Sequence, residues 1–134
     1  MNIELARFNM IEQQIRPWQV LDPAVLDLLS IVRREDFVPP KHRALAFVDT
    51  QVPLLDSLHG PCMLEPKVEA RLLQELRVKR SDSVLEIGTG SGFMAALLAH
   101  VAREVTTVEV DPTLAERARR NLERAGLSRV RVVH

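Results

Sequence analysis

The residues best placed to do chemistry lie between Ser83 and Asp111. Gly88, Gly90 and Gly92 alternate with Thr89 and Ser91, directly after the apolar run Val84-Leu85-Glu86-Ile87 and directly before Phe93-Met94-Ala95-Ala96-Leu97-Leu98-Ala99. Glycine reaches backbone angles that a β-carbon forbids, so this run permits a tight strand-to-helix turn with its backbone bare towards a ligand. Glu109 stands 21 positions after Gly88. In a nucleotide-binding βαβ unit an acid at that register accepts hydrogen bonds from the two vicinal hydroxyls of a ribose. The competing reading of Glu109 is an exposed acid at a strand end. Glu86 lies two residues before the first glycine, where its charge would repel a pyrophosphate and favour a cation. Its competing reading is a side chain that pairs with the backbone amides of its own loop. The dinucleotide fingerprint is Gly-x-Gly-x-x-Gly, whereas the spacing here is Gly-x-Gly-x-Gly. A nicotinamide dehydrogenase is therefore the less favoured reading. Asp111 reads as a helix cap rather than a ligand, and Phe93 and Met94 as packing residues or the lining of a ligand's edge.

A second candidate region is Gly60-Pro61-Cys62-Met63-Leu64-Glu65-Pro66. Nothing basic is placed to activate Cys62, so it reads as an apolar filler. Lys67 reads either as a partner for a carboxylate or, by preference, as a solvated first-turn residue. His59 is the one imidazole near this loop, and His42, His100 and His134 show no metal spacing with it. No metal site is expected.

The elements that must position these residues follow from periodicity. Phe8, Ile11 and Ile15 share one helical face and predict an amphipathic helix over 3–15, ended by Arg16-Pro17. Asp22-Pro23 starts a largely buried helix through Val32. Arg33-Arg34-Glu35-Asp36 reads as its solvated end. After Phe37-Val38-Pro39-Pro40 a short helix is expected over 41–47, then irregular chain over 48–66. Pro66 opens a helix to about Arg77, with Val68, Leu72 and Leu76 at four-residue spacing. Strands are predicted at 83–87, which reads as buried, at 104–110 and at 130–133. Helices fall between them, the second starting at Asp111-Pro112 and stopping at Gly126. Alternating strands and helices imply parallel strands with right-handed crossovers. The expected fold class is α/β: an N-terminal helical region, 1–80, docked on an α/β region, 81–134.

Composition sets the outer limits. The chain has 134 residues, 46% hydrophobic and 27% charged, with 18 Lys+Arg against 18 Asp+Glu. That suits a single globular unit and gives no global electrostatic case for nucleic acid or an anionic membrane. One cysteine excludes an intramolecular disulfide. There is no apolar run of membrane-spanning length and no signal-peptide pattern at Met1–Arg7. The cytoplasm is the expected compartment.

The pattern Glu86-x-Gly88-x-Gly90-x-Gly92 is similar to that of class I methyltransferases. This resemblance implies S-adenosyl-L-methionine, a cofactor with a sulfonium and an ammonium and no phosphate. It implies cofactor contacts from Glu86, Gly88, Thr89, Gly90, Ser91, Gly92 and Glu109. Across essentially the whole chain, the segments Arg34-Glu35-Asp36-Phe37-Val38-Pro39, Ala44-Leu45-Ala46-Phe47-Val48-Asp49 and Val84–Gly92 resemble protein-L-isoaspartate O-methyltransferases. That family methylates the free carboxylate of isoaspartyl residues in damaged proteins, so the implied partner is a protein or peptide carrying isoaspartate. Such a carboxylate is already ionised at pH 7 and needs no catalytic base. The family pattern before Pro66 is Gly-x-Thr-Ile-Ser-x-Pro; here Cys62 stands at the Thr and Leu64 at the Ser, which leaves the catalytic residues unassigned. The alternatives are a relative with a different methyl acceptor, or a cofactor- and protein-binding relative without catalysis. Methyltransferases of this class have seven strands and three are predicted here. The resemblance therefore implies that 81–134 is a partial Rossmann-like cofactor-binding region and 1–80 a helical and substrate-loop region. The expectation is a truncated form with weak or no turnover, or self-association through the open edge of strand 83–87.

Overall fold

The computed structural model describes residues 1–134. Strands β3 (Ser83–Ile87), β4 (Glu104–Val108) and β5 (Arg131–Val133) form a parallel sheet in the order β3-β4-β5. The register sets Leu85 opposite Thr106, Glu86 opposite Thr107 and Ile87 opposite Val108. Helices α4 (Phe93–Ala99) and α5 (Pro112–Arg124) provide the crossovers. Asp111 caps α5 as expected, its Oδ1 accepting from the Leu114 N–H at 2.9 Å with Pro112 in the first turn. Gly126 ends that helix at a φ of 73°.

Side chains alternate across a strand, and the two sheet faces differ sharply. Val84, Val105, Thr107 and Val132 face the helices, where Ala96, Leu97, Leu98, Leu114 and Leu122 are buried. On the other face Leu85 and Ile87 are 63% and 76% exposed. Strand β3 is thus half-buried on one side and exposed on the other, not buried throughout, and its outer edge has no strand neighbour. Strand β4 ends at Val108, two residues short of the expected stop.

The N-terminal region departs further from periodicity. Helix α1 (Ile3–Met10) is followed by a π-helical turn at Ile11–Ile15 and a 3-10 turn at Arg16–Trp18, rather than one α-helix over 3–15. The wider turn rotates the inward face. Arg7, Met10, Ile11 and Ile15 are buried and Phe8 is exposed. Helix α2 (Pro23–Ile31) begins as predicted, with Asp22 accepting from the Ala24 N–H at 3.0 Å. A 3-10 helix occupies Pro40–Leu45. The segment expected to be irregular contains a minimal antiparallel pair, β1 (Val52–Pro53) with β2 (Cys62–Met63). Helix α3 (Pro66–Leu76) buries Pro66, Glu69, Ala70 and Leu73, while Leu72 and Leu76 are exposed. Its inward stripe is therefore offset from the Val68-Leu72-Leu76 line, because α3 packs between α2, the π-helical turn and α4.

The largest correction concerns the charge cluster after α2. Arg34 and Glu35 are 1% and 2% exposed, not a solvated helix end. Arg34 Nη1 meets Glu69 Oε1 at 2.5 Å, its Nε donates to the Ala46 carbonyl at 2.8 Å and its Nη2 to the Leu64 carbonyl at 2.9 Å. Glu35 accepts from Arg7 Nη2 at 2.8 and 3.0 Å. Buried charges persist only when so paired. The apolar core runs across both halves of the chain, with Phe37 and Phe93 edge to face at 5.5 Å.

Candidate functional site

The turn from β3 into α4 is built by backbone conformation. Gly88, Gly90 and Gly92 have φ of 95°, 56° and 89°, a region that side chains rarely adopt. A β-carbon at Gly88 would meet nothing within 4 Å, so that glycine faces open space. One at Gly92 would touch Ala118 and Leu122 at 3.4 Å, and one at Gly90 would press on Leu54 at 3.2 Å. The turn is held to β4 by the Gly88 and Thr89 N–H groups, which donate to the Val108 carbonyl at 2.8 and 3.3 Å.

Glu109 lies just past β4 and is buried, which excludes the exposed strand-end reading. Its Oε1 accepts from the Gly90 N–H at 2.9 Å and its Oε2 from the Asp111 N–H at 3.0 Å. Each carboxylate oxygen has a further lone pair for a ligand hydroxyl. Glu86 does not pair with loop amides. Its Oε1 accepts from the Thr107 hydroxyl at 2.6 Å, and that hydroxyl lies 2.6 Å from the Thr89 hydroxyl. With Thr107 donating to Glu86, Thr89 donates to Thr107, and the three side chains form one directed chain. Burial pushes the Glu86 carboxyl up to about 7; Thr107 pulls it down in part, and Glu69 and Glu109 push it further up.

Beside the loop lies a cavity of about 260 Å³, whose walls include Glu69, Glu86, Leu54, Met63, Leu64 and Met94. Cys62 and Leu64 border it from the second candidate region. The Cys62 thiol is exposed, 3.4 Å from the Gly60 carbonyl. The Leu64 carbonyl is tied to Arg34. Lys67 is half-buried and its contacts are at the surface: its ammonium meets the exposed Asp49 at 3.0 Å and lies 4.8 Å from the centre of the Trp18 ring. The cavity thus has two carboxylates on an otherwise largely apolar wall. The guanidinium of Arg34 is turned to Glu69, Ala46 and Leu64. This donor set fits a ligand with a cationic centre on an apolar stem, and it does not fit a pyrophosphate.

The structure therefore brings together Glu86, Gly88, Thr89, Gly90, Ser91, Gly92 and Glu109. Sequence reasoning missed Thr107, Glu69 and Arg34. Thr107 has a signal, a hydroxyl in an apolar strand at the register of Glu86. The Arg34–Glu69 pair spans 35 positions and leaves no local trace.

Residues 6–134 match the family described as protein-L-isoaspartate(D-aspartate) O-methyltransferase. The chain is 42% identical over 123 residues to the protein-L-isoaspartate O-methyltransferase of Gloeobacter violaceus, covering 92% of this chain and 58% of that one. It is 40% identical over 127 residues to that of Methanoculleus marisnigri, covering 95% of this chain and 56% of the other. The chain thus spans somewhat over half the length of these curated relatives. Among solved structures, a protein-L-isoaspartate O-methyltransferase superposes with a TM-score of 0.75 at 24% identity, over 97% of this chain and 41% of that one. A structure from Plasmodium falciparum, described as an enzyme of the same kind in complex with S-adenosyl-L-homocysteine, gives 0.75 at 18% identity, over 100% of this chain and 63% of that one. These two likenesses show the fold.

Proposed function

The chain belongs to the protein-L-isoaspartate(D-aspartate) O-methyltransferase family, and from that premise we propose that it binds S-adenosyl-L-methionine at the 88–92 turn and serves methyl transfer to isoaspartyl carboxylates of damaged proteins. The observation that carries this reading is the pair of carboxylates, Glu86 and Glu109, set on either side of a glycine turn whose conformation leaves its outer side open. The cofactor supplies an electrophilic methyl group. In this reading Glu109 holds the ribose hydroxyls, Glu86 offsets the positive charge of the methionine portion, and the backbone of Gly88 to Gly92 lies against the ligand. Residues 81–134 form the cofactor side and residues 1–80 bring the acceptor loop over it. An ionised carboxylate is its own nucleophile, so the protein's task is to align it and exclude water. The related solved structure that holds S-adenosyl-L-homocysteine supports the choice of cofactor. The cytoplasm is the compartment we propose.

The second reading is a relative with another methyl acceptor, or one that binds cofactor and protein without turnover. Leu64 favours it, since an apolar side chain borders the cavity where the family pattern has a hydroxyl. Calorimetry separates cofactor from acceptor. Saturable binding of S-adenosyl-L-methionine, lost in Gly90→Val, is expected; binding of NAD with none of S-adenosyl-L-methionine overturns the cofactor reading. Label transfer to an isoaspartyl peptide, raised by Leu64→Ser, supports the acceptor. Cofactor binding with no transfer by either form favours the second reading.

A further inference from the structure

A second cavity is larger than the one beside Glu86. A groove of about 730 Å³ runs between α5 and the segment Asp36–Arg43, touching the glycine turn only at Gly90 and Ser91. One wall is the face of α5 that presents Arg117, Arg120 and Arg124, residues spaced three and four apart and so on one side of the helix. The facing wall presents Lys41 and Arg43 beside Pro39 and Pro40. Five cations on one groove stand out in a chain whose formal charge is zero.

Not all of these charges are neutralised within the protein. Lys41 pairs with Asp56, and Arg120 shares Glu116 with Arg119. Arg43, Arg117 and Arg124 have no carboxylate partner; Arg117 spends one N–H on the Leu54 carbonyl at 2.9 Å, which pins the groove's floor to α5, and Arg124 donates to the Asn121 side chain. Leu55 and the buried Leu114 supply apolar lining between the charged walls. We propose that this groove docks an acidic segment of a partner protein, with its carboxylates on Arg43 and Arg124 and its apolar side chains over Leu55.

A protein segment fits better than a nucleic acid. Asp36, Asp56 and Glu123 also line the groove; a continuous phosphate backbone would meet them, while a peptide can place a neutral residue opposite each. The single aromatic of the lining, Phe37, is buried in the core and offers no face for a base to stack on. Arginine forks suit bidentate carboxylate recognition.

The test needs no cofactor, so its failure is distinct from failure of the methyltransferase reading. A fluorescein-labelled eight-residue peptide of glutamate and leucine is titrated by anisotropy against the full chain. The competitors are a lysine–leucine peptide and an oligouridylate of equal length. Saturable binding of the acidic peptide is expected, weakened about tenfold or more between low and high salt as the charges are screened. Arg43→Glu with Arg124→Glu is expected to weaken it by about tenfold or more, and Arg80→Glu, outside the groove, to leave it unchanged. Circular dichroism checks the fold, and Arg43→Gln with Arg124→Gln replaces the reversal pair should that pair unfold. No binding by the native chain, binding indifferent to both groove variants, or tighter binding of the oligouridylate through the same arginines each overturns the proposal.

Discussion

Glu86 is where a single side chain couples proton, fold and ligand. Its carboxyl is pushed up to about 7 from its ordinary 4.5, first by partial burial and then by the charges of Glu69 and Glu109, with only the Thr107 hydroxyl as compensation. The folded chain therefore binds this proton more tightly than the unfolded chain. Stability contributed through Glu86 is fully present below about pH 4.5 and is lost as pH rises through 7, by on the order of 3 kcal/mol at most. Glu86→Gln keeps an acceptor for Thr107 and removes the titration. Urea midpoints between pH 4.5 and 8 are expected to fall with pH in the native chain more steeply than in the variant; equal slopes would show that Glu86 is not the group responsible. A cationic ligand favours the ionised form, so S-adenosyl-L-methionine affinity is expected to weaken below pH 7 in the native chain and to stay flat in Glu86→Gln, as read by calorimetry.

The elements are joined by a buried arginine more than by any loop. Arg34 reaches α3 through Glu69, the C-cap of the 3-10 segment through Ala46 and the loop between β2 and α3 through Leu64. Removing one member of such a pair leaves the other buried and alone, which costs about 3–5 kcal/mol, a large part of the 5–15 kcal/mol typical of a domain. Arg34→Ala and Glu69→Ala are each expected to lower stability by that amount in urea unfolding. The double replacement Arg34→Met with Glu69→Met is expected to lose less than either, since it removes both charges and keeps the volume. Arg34→Ala also frees the Leu64 carbonyl, so amide exchange should quicken around 62–66. A silent Glu69→Ala would mean that Arg34 is held by the two carbonyls alone.

At the scale of the whole molecule, the bare face and edge of the sheet matter most. Leu85 and Ile87 lie exposed on one face of β3, whose outer edge is unpaired, a combination that templates strand pairing between chains. We propose that the 134-residue chain self-associates there. Light scattering is expected to show mass rising with concentration in the native chain and a monomer in Leu85→Lys with Ile87→Lys. A native chain that stays monomeric at high concentration overturns the idea.

What the sequence determined alone is the local and periodic part. The three strands, the crossover helices, the cap at Asp111 and the glycine turn follow from spacing and from residues whose backbone preferences are intrinsic. So does the candidate set from Glu86 to Gly92 with Glu109, because one βαβ unit brings it together over some two dozen positions. Tertiary structure decided what depends on distant partners. It turned Arg34 and Glu35 from surface charges into a buried network, since only folding places Arg7 and Glu69 beside them. It rotated the inward face of the first helix through a π-helical turn. It also set Thr107 under Glu86, a pairing that exists only once β3 and β4 lie in register. Helix period and glycine conformation are properties of neighbours in the chain, whereas burial of a charge is settled by whatever the fold brings against it.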